Sequence, residues 1–339
     1  MLEEYMKLVY REVPDPVPGP GEVLIRVKAA GICGSDIHGM DGSTGRRLPP
    51  LIMGHEAAGT VEGTGTEVED WKRGDRVTFD STIYDEGDWY SRRGLYNLSD
   101  NRKVLGVSTP EFKLDGAFAE YVVIPRHILC RIPDGVSFTQ AAMTEPVAVA
   151  LHAVNLTEFG PDDTAVVVGS GMIGLFLIQL LKIRGAGCIV AVDIDPGRLE
   201  TALALGAAHA VNPDKEDAGK AVRSLTGGRG ADLGFEAVGT SDTLATAIGC
   251  IRKGATLTLV GNIAPRVEIP LQAVVSRQLR LQGSCAINGE FPEVLRLMDK
   301  GRINSSALLS AEVPLSEGAE WFGRLYRREK GLLKVVLLP

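Results

Sequence analysis

The sequence of 339 residues has little of several features that mark whole classes of protein. It has only five cysteines, odd in number and widely spaced, which is unlike a disulfide framework and favours a reducing, cytoplasmic compartment. Its first ten residues include Glu3 and Glu4 and no apolar core, which is unlike a secretory signal peptide. No run approaches ~18 uninterrupted apolar residues, so we expect no membrane span. The net charge of -7, with scattered basic residues, argues against a nucleic-acid partner.

Glycine, by contrast, is abundant. The chain has 40 glycines, and 45% of its residues are hydrophobic. So many glycines suit tight turns and close backbone approaches, which argues against an all-helical bundle. The length predicts two domains, large enough to bury their cores without help from disulfides.

Hydrophobic patterning divides the chain into two kinds of structure. The first third contains short strand candidates separated by glycine-rich turns, which is typical of a barrel-like β domain: Gly21–Ala30, His55–Val61, Arg76–Thr78 and Phe118–Ile124. From about residue 145, apolar strands alternate with helices, which predicts a parallel, doubly wound sheet of the α/β class. The strands are Asp163–Val168, Ile189–Val192, Ala231–Glu236 and Ala255–Val260, and the helices are Ile173–Arg184, Pro196–Leu205 and Thr243–Ile251. For Phe291–Pro339 we predict a helix over Phe291–Lys300, a loop and short strands.

A glycine-rich turn directly follows the first strand of this second region. Gly169, Gly171 and Gly174 match G-x-G-x-x-G, with Met172 and Ile173 between them. In a dinucleotide site the first glycine makes the turn, the second lets the backbone approach a pyrophosphate, and the third lets helix and strand pack. The helix N-terminus then offers free N–H groups to the phosphates. The alternative is a glycine turn that binds no dinucleotide.

An acidic residue at the end of the second strand bears on the choice of cofactor. Asp193 follows Gly174 by 19 residues. A carboxylate there accepts hydrogen bonds from a ribose 2′-hydroxyl and repels a 2′-phosphate, which predicts NAD rather than NADP. We place Arg198 over the adenine or against a carboxylate, and we assign Val260, at the end of a later strand, to the same site.

Three segments of the chain carry residues of the types that bind zinc. They contain Cys33, then His55 with Glu56, then Glu145. Thiolate, imidazole and carboxylate are the common ligands of catalytic Zn²⁺. Taken singly, each has an ordinary structural explanation, such as a buried cysteine or a core histidine, so these residues need a wider context.

That context is a resemblance to zinc-containing medium-chain alcohol dehydrogenases. Gly54-His-Glu-Ala-Ala-Gly59, followed by Gly65 and Val68, matches their signature GHE-x2-G-x5-G-x2-V. The resemblance covers nearly the whole chain and implies a GroES-like catalytic domain over 1–148, completed by 291–339, and a Rossmann NAD-binding domain over 149–290. Thr144-Glu145-Pro146 looks most like the polyol branch, where a glutamate replaces a metal-ligand cysteine.

The resemblance also implies roles for the residues that match. Cys33, His55 and Glu56 would bind the catalytic zinc with Glu145 as a further ligand, and whether each glutamate binds directly or through water stays open. Ser35 would take the substrate proton and pass it through the nicotinamide ribose to His38. The resemblance also implies that Asp36 contacts His55 and orients its ring on the metal.

The chain departs from this family in two places. The four cysteines of the family's structural zinc lobe are replaced by Asp85, Asp88, Ser91 and Ser99, so we predict no structural zinc. We expect packing and hydrogen bonds to hold this lobe (Thr82–Asp100) instead, from four aromatic residues: Tyr84, Trp89, Tyr90 and Tyr96. The Arg-Tyr pair that grips polyols in sorbitol dehydrogenases aligns with Ala286-Ile287, which leaves room for short diols, or for a sugar-alcohol phosphate if Arg46 or Arg47 reaches the substrate.

The sequence therefore predicts a zinc- and NAD-dependent dehydrogenase that oxidises a polyol, sugar alcohol or related secondary alcohol. The alternatives are a zinc-free quinone or enone reductase and a non-enzymatic NAD-binding protein. The resemblance also implies a homodimer or homotetramer, with Leu279–Cys285 as a candidate edge strand that pairs across subunits.

Overall fold

A computed structural model describes every residue from Met1 to Pro339. Its strands are β1 Leu2–Glu4, β2 Lys7–Leu8, β3 Glu22–Gly31, β4 Glu56–Thr64, β5 Arg76–Phe79, β6 Thr82–Ile83, β7 Lys103–Val104, β8 Val107–Ser108, β9 Lys113–Leu114, β10 Tyr121–Pro125, β11 Leu129–Arg131, β12 Thr164–Val168, β13 Cys188–Val192, β14 His209–Val211, β15 Ala231–Glu236, β16 Ile251–Leu259, β17 Arg280–Gly283, β18 Leu309–Pro314 and β19 Lys334–Leu338. Its α-helices are α1 Gly34–Met40, α2 Phe138–Ala142, α3 Thr144–Asn155, α4 Met172–Arg184, α5 Pro196–Leu205, α6 Ala218–Leu225, α7 Ser241–Cys250, α8 Leu271–Ser276, α9 Phe291–Asp299 and α10 Gly318–Tyr326. None of them is long and apolar enough to cross a membrane.

These elements pack into two units. The first unit comprises Met1–Glu145, Ile287–Gly301 and Leu308–Pro339, and the second comprises Pro146–Ala286 and Arg302–Ala307. The domain boundaries drawn from the sequence stay a prediction, because tight packing alone does not show that a segment folds independently.

The first unit is organised by one sheet with the strand order β11-β5-β4-β3-β19-β18, in which β10 also pairs with β3. Its strand pairs are antiparallel except for β18 with β19. The burial pattern of strand β3 is typical of a sheet with one face in the core. Val23, Ile25 and Val27 are buried and alternate with more exposed residues. The predicted β-rich first domain is confirmed.

The second unit is a six-stranded parallel sheet with the order β14-β13-β12-β15-β16-β17. The strands from β12 to β14 run outward on one side, and the chain then returns to place β15 beside β12. Ligands of such sheets bind at this reversal, outside the carboxyl ends of the strands. The predicted doubly wound α/β sheet is confirmed, and the carboxyl end of β12 is where its ligand site is expected.

The prediction for the C-terminal tail was incomplete. The tail contains helix α10, which buries Phe322, where the sequence indicated only a loop and short strands. Gly318 and Gly323 interrupt the helical pattern, and glycine inside a helix costs about 1 kcal/mol relative to alanine. Burial of Phe322 against the core of the first unit offsets that cost.

Candidate functional site

Strand pairing brings the three proposed metal-binding residues together. Strand β3 ends at Gly31, which pairs with Glu56 at the start of the antiparallel strand β4. Cys33 therefore lies just beyond one strand end, and His55 lies just before the neighbouring strand begins. The thiol sulfur of Cys33, an imidazole nitrogen of His55 and a carboxylate oxygen of Glu56 all lie within 4.8 Å of one another.

The chemistry of this cluster fits a zinc ion. The Oε1 atom of Glu56 is buried and has no hydrogen-bond partner in the protein. A buried carboxylate oxygen without a partner is costly, so it is expected to bind something. Sulfur, nitrogen and oxygen donors in one group are the set that a catalytic zinc takes.

Glu145 lies near this cluster but outside the 4.8 Å group. It stands in the first turn of helix α3. Burial, and then the nearby Glu56 carboxylate, raise the pKa of Glu145 to about 8. A carboxyl group with a raised pKa keeps its proton at neutral pH, and a bound cation would have to displace that proton.

A buried carboxylate supports His55 from behind. The Oδ1 atom of Asp36 lies 3.4 Å from His55 Nδ1, on one side of the ring, and the second ring nitrogen, Nε2, is not engaged by this carboxylate. Asp36 also forms an ion pair with Arg47, whose Nη2 atom lies 3.0 Å from Oδ1. Burial alone would raise the pKa of Asp36, but His55 and Arg47 lower it by more than that. The net effect is a pKa well below the usual value, so this carboxyl is ionised. The sequence pointed to Asp36 but not to Arg47 in this position.

A second buried ion pair holds Glu56. The Nζ atom of Lys334, at the start of β19, donates to Glu56 Oε2 and, at 3.0 Å, to the carbonyl of Ile32. Gly31 makes room for this pair, because a Cβ atom there would lie 2.6 Å from Glu56 Oε2. Sequence reasoning missed Lys334. The signal was a lysine within the apolar run Leu332–Leu338, where a strand of the core is expected.

The proposed proton acceptors lie on the short helix that begins after Cys33. Ser35 and His38 are three residues apart on α1, so they share one face of the helix. Ser35 is exposed, and its Oγ atom lies 3.5 Å from His55 Nε2. His38 is half-buried in the last turn.

The glycine turn after β12 has the shape that a dinucleotide site requires. Gly169 has a φ of +96°, and a Cβ atom on Gly174 would lie 1.8 Å from the Gly169 carbonyl oxygen. Gly171 begins α4 as its N-cap and has nothing within 4 Å of the Cβ position, so the backbone is open there. Met172 and Ile173 form the first turn of α4, where backbone N–H groups have no partner within the helix.

Acidic residues lie at the carboxyl ends of the neighbouring strands. Asp193 directly follows β13, is 8% exposed, and accepts hydrogen bonds from the backbone N–H groups of Ser170 (2.6 Å) and Asp195 (2.9 Å). Arg198 is exposed in the first turn of α5. Val260 donates its N–H to the carbonyl of Glu236, whose buried carboxylate accepts from Val238 and Gly239. Glu236, which the sequence did not single out, fixes the turn after β15.

Hydrogen bonds join residues of the lobe over residues 82–100. Asp88 accepts from the backbone of Ser91 (2.7 Å) and of Asp100 (3.0 Å), and the N–H of Asp85 donates to Ser99 Oγ. Hydrogen bonds from the Ser91 backbone and then the Ser99 hydroxyl lower the pKa of Asp88 to about 2. Rings also pack, with Tyr84 stacked on Tyr96 and Trp89 edge-on to Tyr90.

Two positions bear on substrate. Ala286 has a φ of +51° and Ile287 is buried. Both side chains are apolar, so neither can form a hydrogen bond with a substrate hydroxyl. The guanidinium of Arg47 is held by Asp36 and is only 4% exposed, which removes it from phosphate binding, whereas Arg46 is exposed.

Comparison with known proteins places these features in one family. Residues 19–134 match the model of the alcohol dehydrogenase GroES-like domain, and residues 173–300 match that of the zinc-binding dehydrogenases. The sorbitol dehydrogenase of Bacillus subtilis is 32% identical over 332 residues, which is 96% of this chain and 93% of that protein. The chain belongs to the zinc-dependent medium-chain alcohol dehydrogenases, in their polyol dehydrogenase branch.

Solved structures agree with this assignment. A zinc-binding dehydrogenase from Sinorhizobium meliloti bound to NADP has a TM-score of 0.90 at 29% identity, and the match covers 100% of this chain and 98% of that one. An alcohol dehydrogenase from Escherichia coli complexed with NADH has a TM-score of 0.92 at 29% identity and the same coverage. The protein is therefore an oxidoreductase that acts on CH–OH groups of small molecules with zinc and a nicotinamide cofactor, and the reading as a non-enzymatic protein is set aside.

Proposed function

We propose that this enzyme oxidises a polyol, sugar alcohol or related secondary alcohol to the ketone, with one zinc ion and NAD. The observation that carries the proposal is the group of Cys33, His55 and Glu56, with a Glu56 oxygen left without a partner. A quinone or enone reductase without zinc has no use for such a group.

The chain's own residues divide the work. Cys33 Sγ, His55 Nε2 and a Glu56 oxygen would hold the zinc, with Glu145 as the further ligand. When bound, zinc would lower the pKa of the substrate hydroxyl, and NAD would take the hydride. Ser35 Oγ accepts the hydroxyl proton, which it can do because a serine hydroxyl both accepts and donates. His38 returns the proton to solvent from the same face of α1.

A panel of substrates tests the reaction. We expect NADH formation with one class among sorbitol, xylitol, galactitol, their phosphates, 2,3-butanediol, threonine and simple secondary alcohols. Because Arg47 is committed to Asp36 and Ala286-Ile287 is not polar, we expect short diols and small secondary alcohols to exceed sugar-alcohol phosphates. A zinc chelator should remove the activity. Turnover that survives full removal of the metal would contradict the proposal.

The cofactor is NAD by this proposal, because Asp193 stands where the ribose 2′-hydroxyl binds in dinucleotide sites. Replacing Asp193 by serine should lower the ratio of kcat/KM for NAD to that for NADP by about tenfold or more, since a hydrogen bond to a charged group contributes about 1.5–3 kcal/mol. Asp214→Ser, which changes an exposed aspartate of the same unit, should leave the ratio unchanged. An unchanged ratio in Asp193→Ser would show that this carboxylate does not choose the cofactor.

We propose a single zinc ion per chain, and the residues of the lobe support this number. Asp85, Asp88, Ser91 and Ser99 occupy the positions of the family's four thiolates, and they hydrogen-bond with one another and the backbone. Neutral hydroxyls are poor zinc ligands. Asp88, with its lowered pKa, is already satisfied by N–H and O–H donors. We also place the enzyme in a reducing cytoplasm, which suits its free cysteines.

The chain is by this proposal a homodimer or homotetramer. Strand β17 stands at the open edge of the second unit's sheet, and Leu271 and Val275 on the adjacent α8 are 66% and 69% exposed. An unpaired edge beside exposed apolar side chains is suited to pairing with a second copy. Val275→Glu should therefore shift the mass measured by light scattering towards the monomer. Val17→Glu, at an 85% exposed valine of the first unit, is the matched control. A monomeric wild type, or a Val275→Glu variant of unchanged mass, would count against this interface.

A further inference from the structure

One oxygen of the Asp36 carboxylate has two partners, His55 and Arg47. Asp36 is completely buried, and its Oδ1 atom lies 3.4 Å from His55 Nδ1. The same oxygen receives both Nε (3.3 Å) and Nη2 (3.0 Å) of Arg47. The other oxygen, Oδ2, accepts the backbone N–H of Cys33 at 3.3 Å. Asp36 thus connects two of the proposed metal ligands to a buried cation.

The side chain of Arg47 is buried in a closely packed site. Its side chain is 4% exposed, and its Nη1 atom donates to the Arg46 carbonyl at 3.1 Å. Helix α1 has a glycine where the aliphatic part of Arg47 crosses it, since a Cβ atom on Gly39 would lie 2.3 Å from Arg47 Cγ. Apolar residues in place of a buried ion pair are often at least as stable, so stability alone does not explain a pair placed here.

We propose that Arg47 is a positioning residue that cancels the charge of Asp36 and thereby limits how strongly His55 donates to the metal. This rests on the zinc site of the proposed function. A carboxylate bonded to a metal-binding histidine raises the basicity of that ligand. A guanidinium on the same oxygen draws charge away from the histidine. A zinc ion held by these residues would then keep more of its positive charge, the property by which zinc lowers the pKa of a hydroxyl.

Glu56, a proposed metal ligand, has the same arrangement as Asp36. Glu56 is paired with the buried Nζ of Lys334, as Asp36 is paired with Arg47. Asp36 and Glu56 are thus each matched by one buried cation, whereas Glu145 forms no ion pair of its own. The two pairs contribute no net charge, which leaves the site less negative than its ligands alone would make it.

The sign of one measurement separates this role from a merely structural one. Arg47→Met keeps the unbranched chain that lies over Gly39 but removes the charge. Metal-free Arg47→Met should unfold at a lower temperature, because Asp36 is left buried without its cation. Its affinity for zinc should rise by about 10- to 100-fold, since an uncompensated carboxylate attracts the dication. Zinc affinity is measured by competition with a chromophoric chelator on the full-length chain. If Arg47 only supports α1, affinity falls, and a fall or no change overturns the proposal.

Two further variants complete the test. Arg47→Lys keeps the positive charge, and Asp36→Asn with Arg47→Met removes both charges, so both should bind zinc within about tenfold of the wild type. If Arg47→Met does not fold, the double variant and Arg47→Lys still decide, because tighter zinc binding by the double variant than by Arg47→Lys would contradict charge cancellation. A wild type that binds no zinc at all would overturn the metal site itself, which is a distinct result.

Discussion

Replacing Cys33 by serine should remove the zinc ion and lower kcat/KM by about a thousandfold or more. The thiolate is the softest of the three donors that lie within 4.8 Å of one another, and a serine hydroxyl stays protonated and binds zinc poorly. Losing the metal forfeits several kcal/mol of stabilisation of the developing charge, at about 1.4 kcal/mol for each factor of ten. Metal analysis of freshly purified protein and the rate of NADH formation measure the two effects together.

The same metal analysis tests the proposed number of zinc ions. We expect one equivalent per chain in the wild type and none in Cys33→Ser. Cys188→Ser is the matched control, because Cys188 is a half-buried free cysteine on β13 of the second unit. It should retain its zinc and its activity. Two equivalents in the wild type would contradict the prediction that the lobe over residues 82–100 binds no zinc. Zinc retained by Cys33→Ser would contradict the assignment of Cys33 as a ligand.

Local patterns were enough to predict the elements that position the sites. The alternation of Val23, Ile25 and Val27 predicted β3, and the apolar run before Gly169 predicted β12, because each element buries residues at its own period. Helix α5 begins at Pro196 and ends at Leu205 as predicted, since proline suits a first turn and Gly206 follows the last. These signals lie within a few residues of one another along the chain.

The residues that the sequence did not reveal make contacts that depend on the tertiary fold. Lys334 reaches Glu56 across 278 residues, through the pairing of β19 with β3 and of β3 with β4. From the sequence, Arg46 and Arg47 look like a pair of surface arginines, but in the structure the Arg47 guanidinium binds the carboxylate of Asp36. No local period encodes either contact. The first depends on which strands become neighbours in the sheet, and the second on how the chain after α1 folds back over Gly39.

Lys334 carries the prediction with the largest effect on stability. Its side chain and that of Glu56 are 2% and 1% exposed, so neither charge is screened by water. Lys334→Met keeps the length of the side chain but leaves the Glu56 carboxylate buried without its cation. Removing one partner of a buried ion pair costs about 3–5 kcal/mol, and we expect a loss of that size in the free energy of unfolding of the metal-free protein. Urea denaturation after removal of zinc measures it.

Zinc should reverse part of this loss, because a bound dication supplies the positive charge that Glu56 has lost. The difference between Lys334→Met and the wild type should therefore be smaller in the zinc-loaded protein. Lys334→Met combined with Glu56→Gln, which removes both charges, should recover most of the stability without metal. Lys113→Met, at a lysine that is 48% exposed in the same unit, should change little. If the double variant is as unstable as Lys334→Met, the loss comes from packing in β19, and the lysine does not serve to balance the charge of Glu56.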